Sequence, residues 1–188
     1  MKRLSITCFV ALVGCSTTDS VPPTPAAAFF DNVSNLCGKS FSGKLVAGDA
    51  SDVDFAQADL RAHVRECSAN EIRIAFDVGE DKSRTWIINK TADGLRLKHR
   101  HMLKDGTEDP VSQYGGDTQD VGNASRQEFP VDEFSKQMFI AKDRTISTMN
   151  VWAFEFKSGV NLTYELARPN RLFRVEFDLT KPLPTTIP

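Results

Sequence analysis

The sequence predicts one all-β domain, folded as an antiparallel barrel or, as the alternative, as a β-sandwich. Short segments alternate apolar and polar residues with the period of a strand, and polar turns rich in Gly, Asp and Asn separate them. The chain shows neither a long amphipathic helix nor a strand-helix-strand rhythm. Many short strands joined by tight turns are typical of barrels and sandwiches.

The strand pattern recurs along most of the chain. In residues 71–78, Ile72, Ile74 and Phe76 fall on one face of a strand, because successive side chains of a strand point to opposite faces. The predicted strands cover residues 41–47, 60–67, 71–78, 84–90, 95–103, 148–156, 160–166 and 173–179.

Four segments outside the predicted strands lack this alternation. Residues 29–36 are predicted to form a short helix or a turn, residues 137–141 a short helical piece, and residues 48–54 a polar turn. Residues 107–127 are rich in Gly, Asp, Asn, Gln and Ser, which predicts a long loop. Long loops in compact domains tend to be either functional or disordered.

Aromatic residues recur on the predicted inner faces of the sheet. A small barrel with inward aromatic side chains resembles the calycins and lipocalins, although their Gly-x-Trp signature is absent and the likeness is one of architecture. A barrel of this size holds one small ligand or is filled by its own side chains. Trp86, Trp152, Phe154 and Tyr164 are therefore candidates for lining a ligand pocket, with a filled core as the alternative.

Residues 1–14 have the pattern of a secretory signal peptide. The cationic Lys2 and Arg3 precede an apolar run that is too short to span a bilayer. The following Leu12-Val13-Gly14-Cys15 resembles the lipobox of bacterial lipoproteins. This resemblance implies cleavage before Cys15 and attachment of lipid, including palmitate, to that cysteine. It also implies sorting to the outer membrane, facing the periplasm, because Ser16 stands where Asp favours inner-membrane retention.

The predicted organisation has four parts. The signal peptide, residues 1–14, is followed at 15–28 by the lipidated cysteine and a tether rich in Ser, Thr, Pro and Ala, which cannot bury enough apolar surface to fold alone. The β domain is expected at 29–181 and a loose Pro-rich tail at 182–188. Without residues 1–14 the chain has 21 basic and 25 acidic residues, so we expect no nucleic-acid partner.

Two cysteines remain in the predicted domain, Cys37 and Cys67. An even number of cysteines in an oxidising compartment predicts a disulfide. A two-cysteine metal site is the alternative, but neither residue belongs to a Cys-x-x-Cys pair of the kind that binds zinc.

The predicted strand at residues 95–103 carries His99 and His101 on the same face as its leucines. Residues i and i+2 of a strand lie about 7 Å apart, so both imidazoles can reach one metal ion or polar ligand. Three acids follow in the next turn, and imidazole with carboxylate suits zinc, iron or manganese. The candidate ligand or metal set is His99, His101, Asp105, Glu108 and Asp109. The alternative is that each histidine is buried and hydrogen-bonded to a neighbour.

Two segments, FDVGEDKSRTW around 77–86 and HRHMLKDGTEDPVSQYGG at 99–116, resemble an uncharacterised family of secreted bacterial proteins. That family carries no activity over to this chain. Serine-hydrolase, phosphate-loop and zinc-protease motifs are also missing. We therefore expect a non-catalytic binding or envelope-structural module, whose partners are the membrane through its lipid and a small ligand or envelope component. The alternative is a metal-dependent enzyme centred on His99 and His101, with a divalent metal as its cofactor.

Overall fold

The computed structural model describes residues 22–184, and this part of the chain is a single antiparallel β domain with three α-helices. The helices are α1 (Pro25–Ser34), α2 (Val53–Gln57) and α3 (Glu133–Ala141). The strands are β1 (Ser40–Ala47), β2 (Leu60–Cys67), β3 (Glu71–Val78), β4 (Asp81–Lys90), β5 (Leu95–His101), β6 (Tyr114–Asp117), β7 (Arg126–Pro130), β8 (Val151–Lys157), β9 (Asn161–Arg168) and β10 (Arg171–Asp178).

All ten strands form one sheet in the order β6-β5-β4-β3-β2-β1-β10-β9-β8-β7. Every pair of neighbours is antiparallel, and the first strand lies between the second and the last. The sheet curls into a nearly closed barrel, which confirms the predicted fold class. Its interior is filled largely by aromatic and branched aliphatic residues, among them Phe41, Ile74 and Phe177.

The barrel closes between β6 and β7 without a ladder of hydrogen bonds. A Cβ atom on Gly116 would lie 1.7 Å from the carbonyl oxygen of Pro130, so only glycine lets the two edges approach this closely. Residues at the start of α3 form hydrogen bonds with the backbone groups at the free edge of β6. Gly115 N–H donates to the Ser135 hydroxyl (2.8 Å), and the Gly115 carbonyl accepts from Asp132 N–H (2.9 Å). These contacts protect a sheet edge that would otherwise be free to pair.

Helix α1 covers the end of the barrel at which β4 ends and β5 begins. Thr24 caps it by accepting a hydrogen bond from Ala27 N–H (3.2 Å), and Pro25 suits its first turn because proline needs no donor there. Phe29 and Phe30 are buried. The predicted boundary at residue 29 is therefore corrected, because this capped helix takes in the last four residues assigned to the tether.

Cys37 and Cys67 form the predicted disulfide, with their Cα atoms 6.2 Å apart. The bond ties the segment after α1 to the end of β2. Closing a loop of about 30 residues stabilises a fold by about 3–4 kcal/mol.

Three further expectations are corrected. The stretch predicted as a long loop, 107–127, contains β6 and the start of β7, and the predicted polar turn, 48–54, contains a short 3-10 helix and the start of α2. Part of the tail predicted to be loose is held, since Leu183 N–H donates to the Ser40 carbonyl (2.8 Å). The predicted signal peptide, Cys15 and residues 185–188 lie outside the described residues. None of the helices in the described part is long and apolar enough to cross a membrane.

Candidate functional site

The barrel contains a cavity of about 260 Å³ at the end opposite α1. It is bordered by the start of β4 and the end of β5, whereas α1 lies against the segment that joins the other ends of these strands. Aromatic and charged residues both face the cavity. They are Asp52, Phe55, Phe76, Arg84, Thr85, Trp86, His99, His101, Tyr114, Tyr164, Leu166, Arg171 and Phe173.

Strand register brings the two predicted histidines to this cavity. In the ladder between β4 and β5, Trp86 is opposite His99 and Arg84 is opposite His101. Alternation along both strands directs these four residues into the barrel. The inner pair is buried and the outer pair reaches the mouth, so the site changes from apolar to charged along one direction.

His99 has both of its ring nitrogens in hydrogen bonds. Nδ1 lies 3.1 Å from the Tyr114 carbonyl oxygen, and Nε2 lies 2.7 Å from the Tyr164 hydroxyl. Because a carbonyl only accepts, Nδ1 carries the proton and Nε2 accepts from the phenol. Burial lowers the pKa of His99 to about 3 and raises the pKa of Tyr164 well above its usual value. Both groups are therefore neutral at pH 7.

His101 and Tyr114 form a second imidazole-phenol pair nearer the mouth. The Tyr114 hydroxyl lies 3.0 Å from His101 Nε2, and the Tyr114 ring stacks on the ring of His99 at 4.6 Å. Burial raises the pKa of Tyr114 to about 12. The pKa of His101 is lowered, first by burial and then by the charge of Arg84. This pair is also neutral at pH 7.

A segment comprising residues 49–58, which we call the mouth segment, lies across the open end. Its half-buried Phe55 meets the Phe173 ring edge-on at 4.9 Å. Asp52 accepts two hydrogen bonds from Arg171, each 2.6 Å, and Asp49 lies 2.5 Å from the same guanidinium. These carboxylates raise the pKa of Arg171, so the ion pair holds the segment over the cavity across the whole neutral range.

The four predicted pocket-lining aromatics divide into two groups. Trp86 and Tyr164 do line the cavity, where their rings stack 4.4 Å apart. Trp152 and Phe154 do not line it and are wholly buried in the core behind it. Strand alternation identified all four as inward residues, but their depth in the barrel depends on the register of β4, β8 and β9 in the sheet.

The predicted acidic donors are not gathered around the histidines. Asp105 accepts from Thr107 (2.9 Å), Glu108 from Ser112 (2.6 Å), and Asp109 from Val111 N–H (2.6 Å), so each carboxylate caps its own loop. Within residues 22–184 no three His, Cys, Asp or Glu side chains are arranged to hold a metal ion. The structure thus favours the alternative in which the histidines are hydrogen-bonded to neighbours.

Sequence reasoning missed four residues that shape this site. Arg84 alternates with Trp86 along β4, and that alternation is a signal that it points inward. Tyr114 stands within the predicted loop, and Phe55 and Arg171 come close to it only through the tertiary fold. No local pattern marks the last two as partners of the histidines.

Comparisons of this chain with protein-family models, with curated proteins and with solved structures gave no match. The resemblance of its first fifteen residues to lipoproteins, and of its two internal segments to secreted bacterial proteins, therefore remains a prediction.

Proposed function

We propose that this protein is a lipid-anchored binding module of the bacterial outer membrane, and that it holds a small molecule in its barrel cavity without transforming it. The observation that carries the proposal is the cavity itself. Large side chains such as Phe41 and Trp152 fill the rest of the barrel, whereas about 260 Å³ remains open beside Trp86. A cavity of about 150 Å³ in another protein takes up benzene.

The protonation states of the polar lining support binding rather than catalysis. A general acid or base works best when its pKa is near the working pH. Burial instead moves the pKa of His99 down to about 3 and that of Tyr114 up to about 12. Both shifts keep these groups neutral, which suits the recognition of a ligand by fixed hydrogen bonds.

The position of the anchor supports uptake from the periplasm. The lipobox-like sequence ending at Cys15 precedes α1 by ten residues, and Pro25 lies beside residues 90–95 at the closed end of the barrel. The cavity opens at the opposite end. This arrangement favours a ligand that arrives from the aqueous side over a lipid taken directly from the bilayer.

The anchor is tested by metabolic labelling with an alkyne-bearing fatty acid in a bacterial host. We expect label on the protein, loss of label in Cys15→Ala, and retention of label in Cys8→Ala, a matched cysteine in the predicted signal peptide. Equal labelling of both variants would refute lipidation at Cys15.

The cavity is tested by ligand-observed NMR with a set of one-ring and two-ring fragments. Leu166 lines the cavity, so Leu166→Trp should fill it and abolish binding. Val160, an exposed residue in the turn before β9, supplies the matched control, since Val160→Trp adds the same side chain outside the barrel. Fragments that bind both variants equally, or a failure of every fragment to bind the unmodified protein, would overturn the proposed site.

A further inference from the structure

We infer that the ligand is a flat, uncharged molecule of one or two rings that carries one hydrogen-bond-accepting group, with a cyclic ketone as the type case. This inference rests on the proposed function and names the class of ligand for the same cavity. The size, the walls, the charges and the free hydrogen-bond donors each limit the class.

The walls favour a flat apolar body. Trp86 stacks on Phe76 at 4.5 Å with an interplanar angle of 16°, and on Tyr164 at 4.4 Å with an angle of 28°. Phe55 and Phe173 complete an aromatic lining toward the mouth. Aromatic rings prefer stacked or edge-to-face neighbours, and the volume is about 1.7 times that of a cavity known to accept benzene.

The charges favour an uncharged ligand. Every charged side chain that lines the cavity already has a partner of opposite sign: Asp52 pairs with Arg171, and Arg84 pairs with Asp81. A charged ligand that is buried where no free counter-charge is available incurs a large desolvation penalty. An anionic or cationic ligand would therefore bind poorly here.

The free polar groups of the lining include more donors than acceptors. His101 and Tyr114 together carry two exchangeable protons at neutral pH, one on the imidazole and one on the phenol, and their mutual hydrogen bond uses one of them. Whichever tautomer His101 adopts, the pair keeps one proton and one acceptor for a ligand. The Arg84 guanidinium also lines the cavity and bonds only Asp81 through Nη1, so its other N–H groups add donors. Both carboxylate oxygens of Asp52 are occupied by Arg171, so the lining offers no matching free carboxylate acceptor. The ligand is therefore expected to present an acceptor.

Three probes of nearly equal shape separate these requirements: 1-tetralone, tetralin and tetralin-1-carboxylate. Isothermal titration calorimetry at pH 7.4 should give a dissociation constant for tetralone about three- to tenfold lower than for tetralin, which corresponds to one net hydrogen bond. The carboxylate should bind at least about thirtyfold more weakly than tetralone.

Variants of the donor pair give an independent readout. His101→Phe and Tyr114→Phe each leave one donor of the pair, so each should retain a preference for tetralone over tetralin. The double variant should lose most of the preference for tetralone, because only Arg84 is left to donate, and an unchanged affinity for tetralin will show that its cavity is intact. If the double variant does not fold, the three-probe comparison on the unmodified protein still decides the inference.

The outcomes distinguish the two proposals. Binding of the carboxylate as tightly as the ketone, or equal binding of ketone and hydrocarbon, would overturn the ligand class while leaving the binding function in place. Failure of all three probes, together with failure of the fragment set, would overturn the binding function itself.

Discussion

Mild acid is expected to destabilise this protein through His99. The pKa of this buried imidazole is lowered to about 3 in the fold, against about 6.5 in an unfolded chain. Between these two values the unfolded chain binds a proton that the folded protein does not. Stability conferred by the neutral imidazole is therefore complete above the unfolded pKa and falls as the pH drops through the window from about 6.5 to 3.

The magnitude follows from the linkage between protonation and folding. One pKa unit corresponds to about 1.4 kcal/mol, so acidification from pH 7 to pH 5 should remove about 2 kcal/mol through His99 alone. This loss is a large part of the 5–15 kcal/mol by which domains are typically stable. Carboxylates whose pKa is lowered in the fold contribute little in this window, because their unfolded pKa values are near 4. Burial raises the pKa of Asp77, which acts in the opposite direction and equally in the unmodified protein and its His99 variant.

Urea unfolding, followed by tryptophan fluorescence at pH 7, 6 and 5 and constant ionic strength, measures this effect. His99→Gln should be less stable at pH 7 by about 2 kcal/mol, because it loses part of the buried hydrogen bonding, but its stability should fall by about 2 kcal/mol less on acidification. His63→Gln, at a partly exposed position on β2, is the matched control for the replacement of a histidine. An equal fall in the unmodified protein and in His99→Gln would refute the reasoning.

Three further predictions concern the frame of the barrel. Gly116→Ala should lower the free energy of unfolding by more than about 3 kcal/mol in thermal melts, because its Cβ would meet Pro130. Gly159→Ala, with open space around it, should cost about 1 kcal/mol. Equal losses would contradict the close approach of β6 and β7. Removing the disulfide with Cys37→Ala and Cys67→Ala should cost about 3–4 kcal/mol in urea unfolding, and an unchanged midpoint would contradict its role. Asp52→Asn should speed hydrogen exchange in α2 while that of β3 is unchanged, because Arg171 loses its buried counter-charge; unchanged exchange in α2 would show that other contacts hold the mouth segment.

The local sequence pattern was sufficient to predict most strands, but not β6 and β7, between which the barrel closes. β2, β3 and β5 alternate, because one face of each is buried along most of its length. β6 consists of Tyr114, two glycines and an aspartate, and glycine and aspartate are both depleted in strands. It forms because its partner β5 and the start of α3 satisfy its backbone groups, and these contacts do not exist within the local sequence.

The candidate site shows the same division. Alternation along β5 correctly directed His99 and His101 into the barrel, and the pairing of Cys37 with Cys67 followed from their number. The acids at 105–109 follow the histidines directly in sequence, yet each folds onto its own loop. Proximity in sequence does not determine which way a turn residue faces, and a carboxylate next to backbone N–H groups satisfies them first.

The sequence by itself determined the fold class, the inner and outer faces of the main strands and the disulfide, because each depends on period, composition or cysteine number. Only the tertiary structure decided that Tyr114 and Tyr164 occupy the histidine nitrogens, and that Arg171 holds the mouth segment through Asp52. Those contacts join residues between 13 and 119 positions apart, and they depend on how far each strand is shifted against its neighbour. That shift is set by the packing of the whole barrel, which no single segment encodes.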